Sequence, residues 1–488
     1  MIRWGGILIL EEECAGMAEN DVRTQLASLS AAERLALAKR LITVRPPTAT
    51  ATAEKIPVAD RSGPLPLAWP MRVVLAAERS APGTTAWLEP RAIRYSGVDV
   101  DRLVDAYRAI VARHEMLRTR IEVSPNGDCM RVQPPSAVSV ETVDVRALPS
   151  ETRMARALEL VREHALRPLG IERDMPFDLS VCRVADDEAI LVLRAHEIIC
   201  DGLAFTVLLN DVRKTYASED TLPPLEVQYG DFAVWEHERY APEKIEAKVR
   251  YWRERLVSAV PLALPRDAPP GASRRAHAIT TPFKVETIER LDGFTRTWAV
   301  THYVILLAAF NVLLSRICET DDVVTFATTA THRYRQPELL RVVGRFMNQI
   351  PIRVDVSGDP TFAELVERCG ATVNDGLANE DVPAMAVFDS ESPVDGPFCR
   401  VLLNYADMRG TGIVTRLHAS GVPLPIDRDR KTALAWVFFR TEERVIAHLV
   451  GGEDWFQVST LERFASQLPR IVDLALEDPK RRISQLHP

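Results

Sequence analysis

Short apolar runs and longer amphipathic stretches alternate along this chain, and the alternation predicts strands interleaved with helices. Strand-like runs are RYSG (94–97), TRIEVS (119–124), AILVLRA (189–195) and DVVTFATT (322–329). Helical spacing marks VDRLVDAYRAIVARHE (100–115), GLAFTVLLNDVRKTY (202–216), IEAKVRYWRERL (245–256), THYVILLAAFNVLLSRI (301–317) and STLERFASQLPRIVDLALED (459–478). Near the start, Leu26, Leu29, Leu35, Leu37 and Leu41 predict a short amphipathic helix over 21–42, with Ser30 an N-cap three residues before Glu33. The stretch 43–66, rich in Pro, Thr and Ala, reads as a flexible linker. A second break falls at 218–232. This gives a tail, helix and linker over 1–66, a first α/β lobe over 67–220 and a second over 221–488, with no repeat period of the kind that builds solenoids.

Composition narrows the classes. A chain of 488 residues with 47% apolar positions can fill two large cores. Its net charge of −8, from 60 basic and 68 acidic side chains, argues against a general nucleic-acid binder, because nothing neutralises phosphates in bulk. Seven cysteines (Cys14, Cys129, Cys182, Cys200, Cys318, Cys369, Cys399) are odd in number and lack CxxC spacing, which points to a reducing, cytoplasmic compartment without a zinc site. The apolar stretch in MIRWGGILILEEE is too short to span a membrane and is followed at once by glutamates, unlike a signal peptide; Met17 is an alternative start.

The densest chemistry lies in AHEIICDG (195–202), between the strand-like run 189–195 and the helix that opens at Gly202. HEIIC has the opening of a zinc-binding helix, but position 200 is Cys and the preceding run is strand-like, so a metalloprotease is excluded. RHE at 113–115 reads as an ion-paired helix end.

The octapeptide resembles HHxxxDG, the signature of nonribosomal peptide synthetase condensation domains and of the related chloramphenicol-acetyltransferase-like acyltransferases. PLPLAWPMRVVL (64–75), VARHEMLRTRI (111–121), YGDFAVWEHE (229–238), VVGRFMNQIPIRVDVSGDPTFAEL (342–365), NEDVPAMAVFD (379–389) and VLLNYAD (401–407) resemble further blocks of that family in its order. The resemblance implies two acetyltransferase-like lobes in a V, with a tunnel between them. It implies no bound cofactor, since substrates arrive as thioesters on the phosphopantetheine arms of carrier proteins. Acyl or peptidyl carrier proteins acting in trans are the implied partners, a monomer is the implied state, and helix 21–42 is a candidate dock for a neighbouring synthase module.

In the family the second histidine of the motif accepts the proton of the attacking nucleophile, and its imidazolium then faces the forming oxyanion. Here that position is Glu197. A buried carboxylate with a raised pKa can still accept a proton, yet as an anion about 4 Å from an oxyanion it costs about 4 kcal/mol at an effective dielectric near 20, roughly three decades of rate. Three readings of Glu197 stay open: a base or ammonium counter-ion for a specialised condensation, a mark of a module kept for binding, or one half of a structural ion pair. The resemblance places His196 as a hydrogen-bonding residue and Gly202 where the absence of a side chain lets backbone approach the active site. It places Asp201 in an ion pair with Arg333 or Arg335 of the second lobe, and Asn348 and Arg353 as packing residues of the segment that bridges the lobes. No nucleotide-binding loop, adenylation signature or carrier serine is present, so the expected protein is a single module that receives activated substrates. The resemblance implies a condensation-type acyltransferase that joins a carrier-bound acyl or peptidyl thioester to an acceptor nucleophile, an amine, in a nonribosomal peptide or hybrid polyketide pathway; the alternative is a catalytically degenerate member of the fold that binds carrier-bound intermediates or recruits a tailoring enzyme.

Overall fold

The computed structural model describes residues 55–487, apart from 124–126, 139, 173, 219–221, 270, 272, 384–385, 388–399, 408–418, 423–428, 430 and 442–443. The expected helix at 21–42, most of the linker, Cys14 and Cys399 lie outside the described residues.

The first part of the chain runs through β1 (Leu65–Pro66), α1 (Trp69–Ser80), β2 (Leu88–Ser96), α2 (Val100–Arg113), β3 (Thr119–Glu122), β4 (Cys129–Val132), β5 (Val140–Asp144), α3 (Ser150–Ala165), β6 (Phe177–Ala185), β7 (Glu188–His196), α4 (Gly202–Ala217) and α5 (Tyr229–Arg239). The second part holds α6 (Pro242–Arg255), β8 (Ala276–Pro282), α7 (Val285–Trp298), α8 (His302–Cys318), β9 (Asp322–Thr329), α9 (Thr331–Arg335), β10 (Asn348–Asp355), α10 (Phe362–Ala378), β11 (Val401–Asp407), β12 (Ala419–Gly421), β13 (Leu434–Arg440), β14 (Val445–Gly452) and α11 (Val458–Glu477). Two mixed sheets result: β12-β2-β7-β6-β5 in one lobe and β10-β9-β11-β13-β14-β8 in the other. Both lobes are α/β.

Strand β7 is buried along nearly its whole length because helices cover both faces of its sheet. Ala189, Leu191, Leu193 and Ala195 join the main core of the first lobe, while Ile190 and Val192 pack with Ala157, Val161 and Ala165 of α3 on the opposite face. In the second lobe α8 is apolar around its circumference and lies buried at the core, capped by Thr301, whose hydroxyl accepts from the Val304 N–H. Helix α2 ends at Arg113 rather than at Glu115. There His114 turns extended and its ring meets Asp211 at 3.2 Å, and a short 3₁₀ turn follows. Among the described residues no single helix is long and apolar enough to cross a membrane.

The division expected near residue 220 is crossed by three segments. Tyr229, Phe232 and Trp235 of α5 pack into the first core, as do Leu339, Val342, Val343 and Phe346. Strand β12 pairs antiparallel with β2, Gly421 opposite Ile93, so the second half of the chain supplies the edge strand of the first sheet.

Helix α5 also fixes the start of α1. The buried Glu236 carboxylate accepts the Trp69 N–H at 2.7 Å, and burial pushes its carboxyl up to about 8, against the pull of that N–H and of Arg72. A group whose folded pKa lies above its ordinary value of 4.5 stabilises the fold fully below 4.5, and this contribution is lost as pH rises toward 8. Glu236→Gln keeps an acceptor for Trp69 and removes the titration. Urea midpoints taken at about pH 5 and about pH 8.5 should therefore show the variant gaining on the wild type at the higher pH, and a pH-independent difference would contradict the assignment.

Candidate functional site

The motif turn is held from both sides of β7. The His196 N–H donates to the Pro176 carbonyl and the Glu197 N–H to the Trp87 carbonyl, each at 2.8 Å. Ile198, Ile199 and Cys200 are buried, anchoring the turn in the first core. His196 is itself buried; its Nδ1 accepts the Ile198 N–H at 3.2 Å and its Nε2 lies 3.7 Å from the Glu78 carboxylate of α1. His196 thus shapes the turn from within.

Asp201 caps α4 and does more. One carboxylate oxygen accepts the Ala204 N–H at 2.8 Å, the other accepts the Phe346 N–H at 3.0 Å, and Arg333 Nη1 stands 3.4 Å away. Both ionic side chains are almost fully buried. Arg333 also donates to the Val342 carbonyl at 2.8 Å and lies over the Phe346 ring. The partner left open between Arg333 and Arg335 is thus Arg333. Arg335 faces elsewhere, 3.8 Å from Glu380 and 3.5 Å from the Leu377 carbonyl, because the short helix α9 turns its side chain toward the end of α10.

Glu197 is gripped by two cations. Arg345 Nη1 donates to its Oε2 at 3.0 Å, and Lys431 Nζ binds its Oε1. Arg345 Nε donates to the Pro70 carbonyl at 3.2 Å, while Tyr229 Oη donates to the Arg345 carbonyl. Lys431 also reaches Glu89 at 3.2 Å, and both cations lie within 6 Å of the Trp87 ring, at 5.7 Å for Arg345 and 5.6 Å for Lys431. Glu197 comes from the first lobe and Lys431 from the approach to β13 in the second, anchored nearby by Asp429, which accepts from the Thr84 hydroxyl and the Thr85 N–H. Each oxygen of Glu197 thus accepts from a cationic donor, Oε2 from Arg345 and Oε1 from Lys431.

Gly202 opens α4, and a Cβ built there would meet nothing within 4 Å. The close backbone approach expected at this glycine is therefore not found among the described residues. Gly344 is the opposite case: a Cβ there would overlap the Tyr229 ring, so its bare backbone lets the bridging segment close against α5. Asn348 donates to the carbonyls of Glu380 and Val382, both at 2.8 Å, and Arg353 pairs with Asp322 while holding the Arg255 and Val257 carbonyls. These two side chains fix backbone, away from Glu197. Sequence reading missed Arg345, Lys431, Trp87 and Glu89. Arg345 had a signal, a cation at the free position between Gly344 and Phe346 of a recognised block; Lys431 lies in no block at all.

The condensation-domain family model matches residues 70–487, and the chain belongs to that family. Chondramide synthase cmdD of Chondromyces crocatus is 29% identical over 80% of this chain, and the beauvericin nonribosomal cyclodepsipeptide synthetase of Beauveria bassiana is 28% identical over 90%. The chain spans only 10% and 14% of those proteins. Among solved structures, the X-domain from teicoplanin biosynthesis superposes with a TM-score of 0.76 at 25% identity, covering 89% of this chain and 100% of that one. The condensation domain of the monacolin K polyketide synthase MokA shares the fold, with a TM-score of 0.75 at 17% identity over 86% of this chain and 99% of that one.

Asp201→Ala should destabilise the protein by about 3–5 kcal/mol, because Arg333 would stay buried without its carboxylate. Arg335→Ala should cost under about 1 kcal/mol, as its ion pair is long and partly exposed. Urea unfolding of both variants checks the ranking. Gly344→Ala should cost about 1–3 kcal/mol through overpacking against Tyr229 and should shift the Trp87 environment, read by near-UV circular dichroism.

Proposed function

We propose that this condensation-family protein binds carrier-borne chains and presents them to a partner enzyme, with Glu197 serving as an ion-paired strut between the lobes. The observation that carries this reading is the engagement of both Glu197 oxygens by Arg345 and Lys431. Both oxygens of Glu197 already accept from cationic side chains, so its charge is answered by the protein itself rather than by a substrate. The reading of Glu197 as one half of an ion pair gains from this geometry, and the reading as an unencumbered base loses. The likeness to the teicoplanin X-domain supports it as well, because a solved structure holds that domain in complex with OxyB. The protein acts in trans, as a cytoplasmic monomer, and takes substrates already activated by other modules.

A second reading is condensation proper, amide or ester formation from a carrier-bound thioester. The retention of His196, Asp201 and Gly202 around the motif favours it. In that case Glu197 serves as counter-ion to an acceptor ammonium that displaces Lys431.

Intact-mass analysis with acyl-loaded carrier and a panel of amine acceptors separates the two. The binding reading expects no condensed product from wild type or Glu197→Gln, with carrier binding at micromolar or weaker affinity that declines with added salt. Turnover by the wild type that disappears in Glu197→Gln would overturn it. Loss of the Glu197 strut should also lower the urea midpoint, since Arg345 would lose its carboxylate while remaining mostly buried.

A further inference from the structure

One face of α1 carries a charge that the protein itself leaves unanswered. Trp69, Arg72, Val73 and Ala76 recur at i, i+3, i+4 and i+7, so they share one side of the helix, and all four are half-buried. Arg72 is the single charged member of this stripe. Its guanidinium lies 4.7 Å from the centre of the Trp69 ring, its Nη2 donates to His237 Nε2 of α5 at 2.6 Å, and its Nε donates to the Leu67 carbonyl at 3.3 Å. The His237 ring stacks on Trp69 with centroids 6.1 Å apart, and Trp69 also packs against the core of the second lobe. The fork is therefore held in place from two sides.

Among the described residues no carboxylate pairs with Arg72. Asp128, whose charge reaches it, is already bound by Arg79 at 2.7 Å. Glu236 acts on it too, but burial pushes that carboxyl up to about 8, so it is mostly protonated at neutral pH. Burial pulls the Arg72 guanidinium down from its ordinary value, and these two distant carboxyls do not reverse the shift. His237 adds no anion: burial and the neighbouring guanidinium pull it down, and a neutral ring that accepts on Nε2 keeps its own proton on Nδ1. Trp69 Nε1 is covered and has no acceptor. The cluster thus has spare donors and no negative charge.

A half-buried guanidinium matches the two oxygens of a carboxylate. A doubly charged oxyanion would meet only one cation here and lose more hydration than that cation returns. The other three members of the stripe are apolar, which suits a molecule with an apolar body better than a bare ion. We infer that this face of α1 binds a small organic acid, its carboxylate on Arg72 and its apolar body along Trp69 and Val73.

Calorimetric titration of the full chain with phenylacetate, with the uncharged phenylacetamide, with acetate and with sulfate is the experiment. Phenylacetate should bind at least tenfold more tightly than phenylacetamide, which lacks the charge, and than acetate, which lacks the body. Arg72→Gln should weaken phenylacetate at least tenfold and leave phenylacetamide unchanged. No binding of phenylacetate, equal affinity for phenylacetamide, sulfate binding as tight as phenylacetate, or full retention in Arg72→Gln would overturn the inference. Ala76→Glu is the second variant, since it keeps Arg72 and places a carboxylate one helical turn from it. It should weaken phenylacetate at least tenfold at a melting temperature no lower than that of the wild type; undiminished binding in this folded variant counts against the site.

Discussion

The Asp201 carboxylate, buried and shared among three segments, is the interaction on which the arrangement of the centre depends. Its oxygens accept from the first turn of α4 and from the Phe346 N–H, and its charge is answered by Arg333. Because Arg333 in turn holds the Val342 carbonyl, one carboxylate sets both the start of a first-lobe helix and the path of the bridging segment. A buried pair of this kind is weak evidence for net stability, since dehydrating two ions offsets most of their attraction. What it supplies is register. The next residue but one after Val343 is Arg345, whose position at Glu197 follows from where that segment is pinned.

Glu197 then has a different meaning from the histidine it replaces in the family pattern. A histidine there can be neutral or charged at ordinary pH, whereas here a carboxylate sits between two cationic side chains, Arg345 and Lys431. Glu89 extends the cluster, and Trp87 offers its ring to both cations. The charge repulsion that made glutamate look costly beside an oxyanion is reduced by the same cations that occupy its oxygens.

Much of this was legible in the chain itself. The run at 189–195 and the helix beginning at Gly202 appear within a residue or two of their expected bounds, since an apolar run flanked by turn residues has few alternatives. The role of Asp201 as a cap follows from its place one residue before a helical pattern. The choice between Arg333 and Arg335 was not legible, because five residues of α9 decide which of two nearby side chains turns inward. Lys431 was invisible for a related reason: it belongs to no periodic pattern, and its significance comes only from tertiary placement beside Glu89 and Glu197.

The pairing of β12 with β2 bears on how the chain becomes folded at all. During synthesis β2, β7, β6 and β5 can assemble early, but the outer edge of β2 stays exposed until Gly421 has left the ribosome. Closing contacts so distant in sequence is slow, and an uncovered edge strand invites pairing with other chains in the interval. Arg91 and Arg94 on β2, paired with Glu89 and Glu188, place charge along that strand while it waits. The strand that joins the two lobes in the finished molecule is therefore also the last protection its first sheet receives.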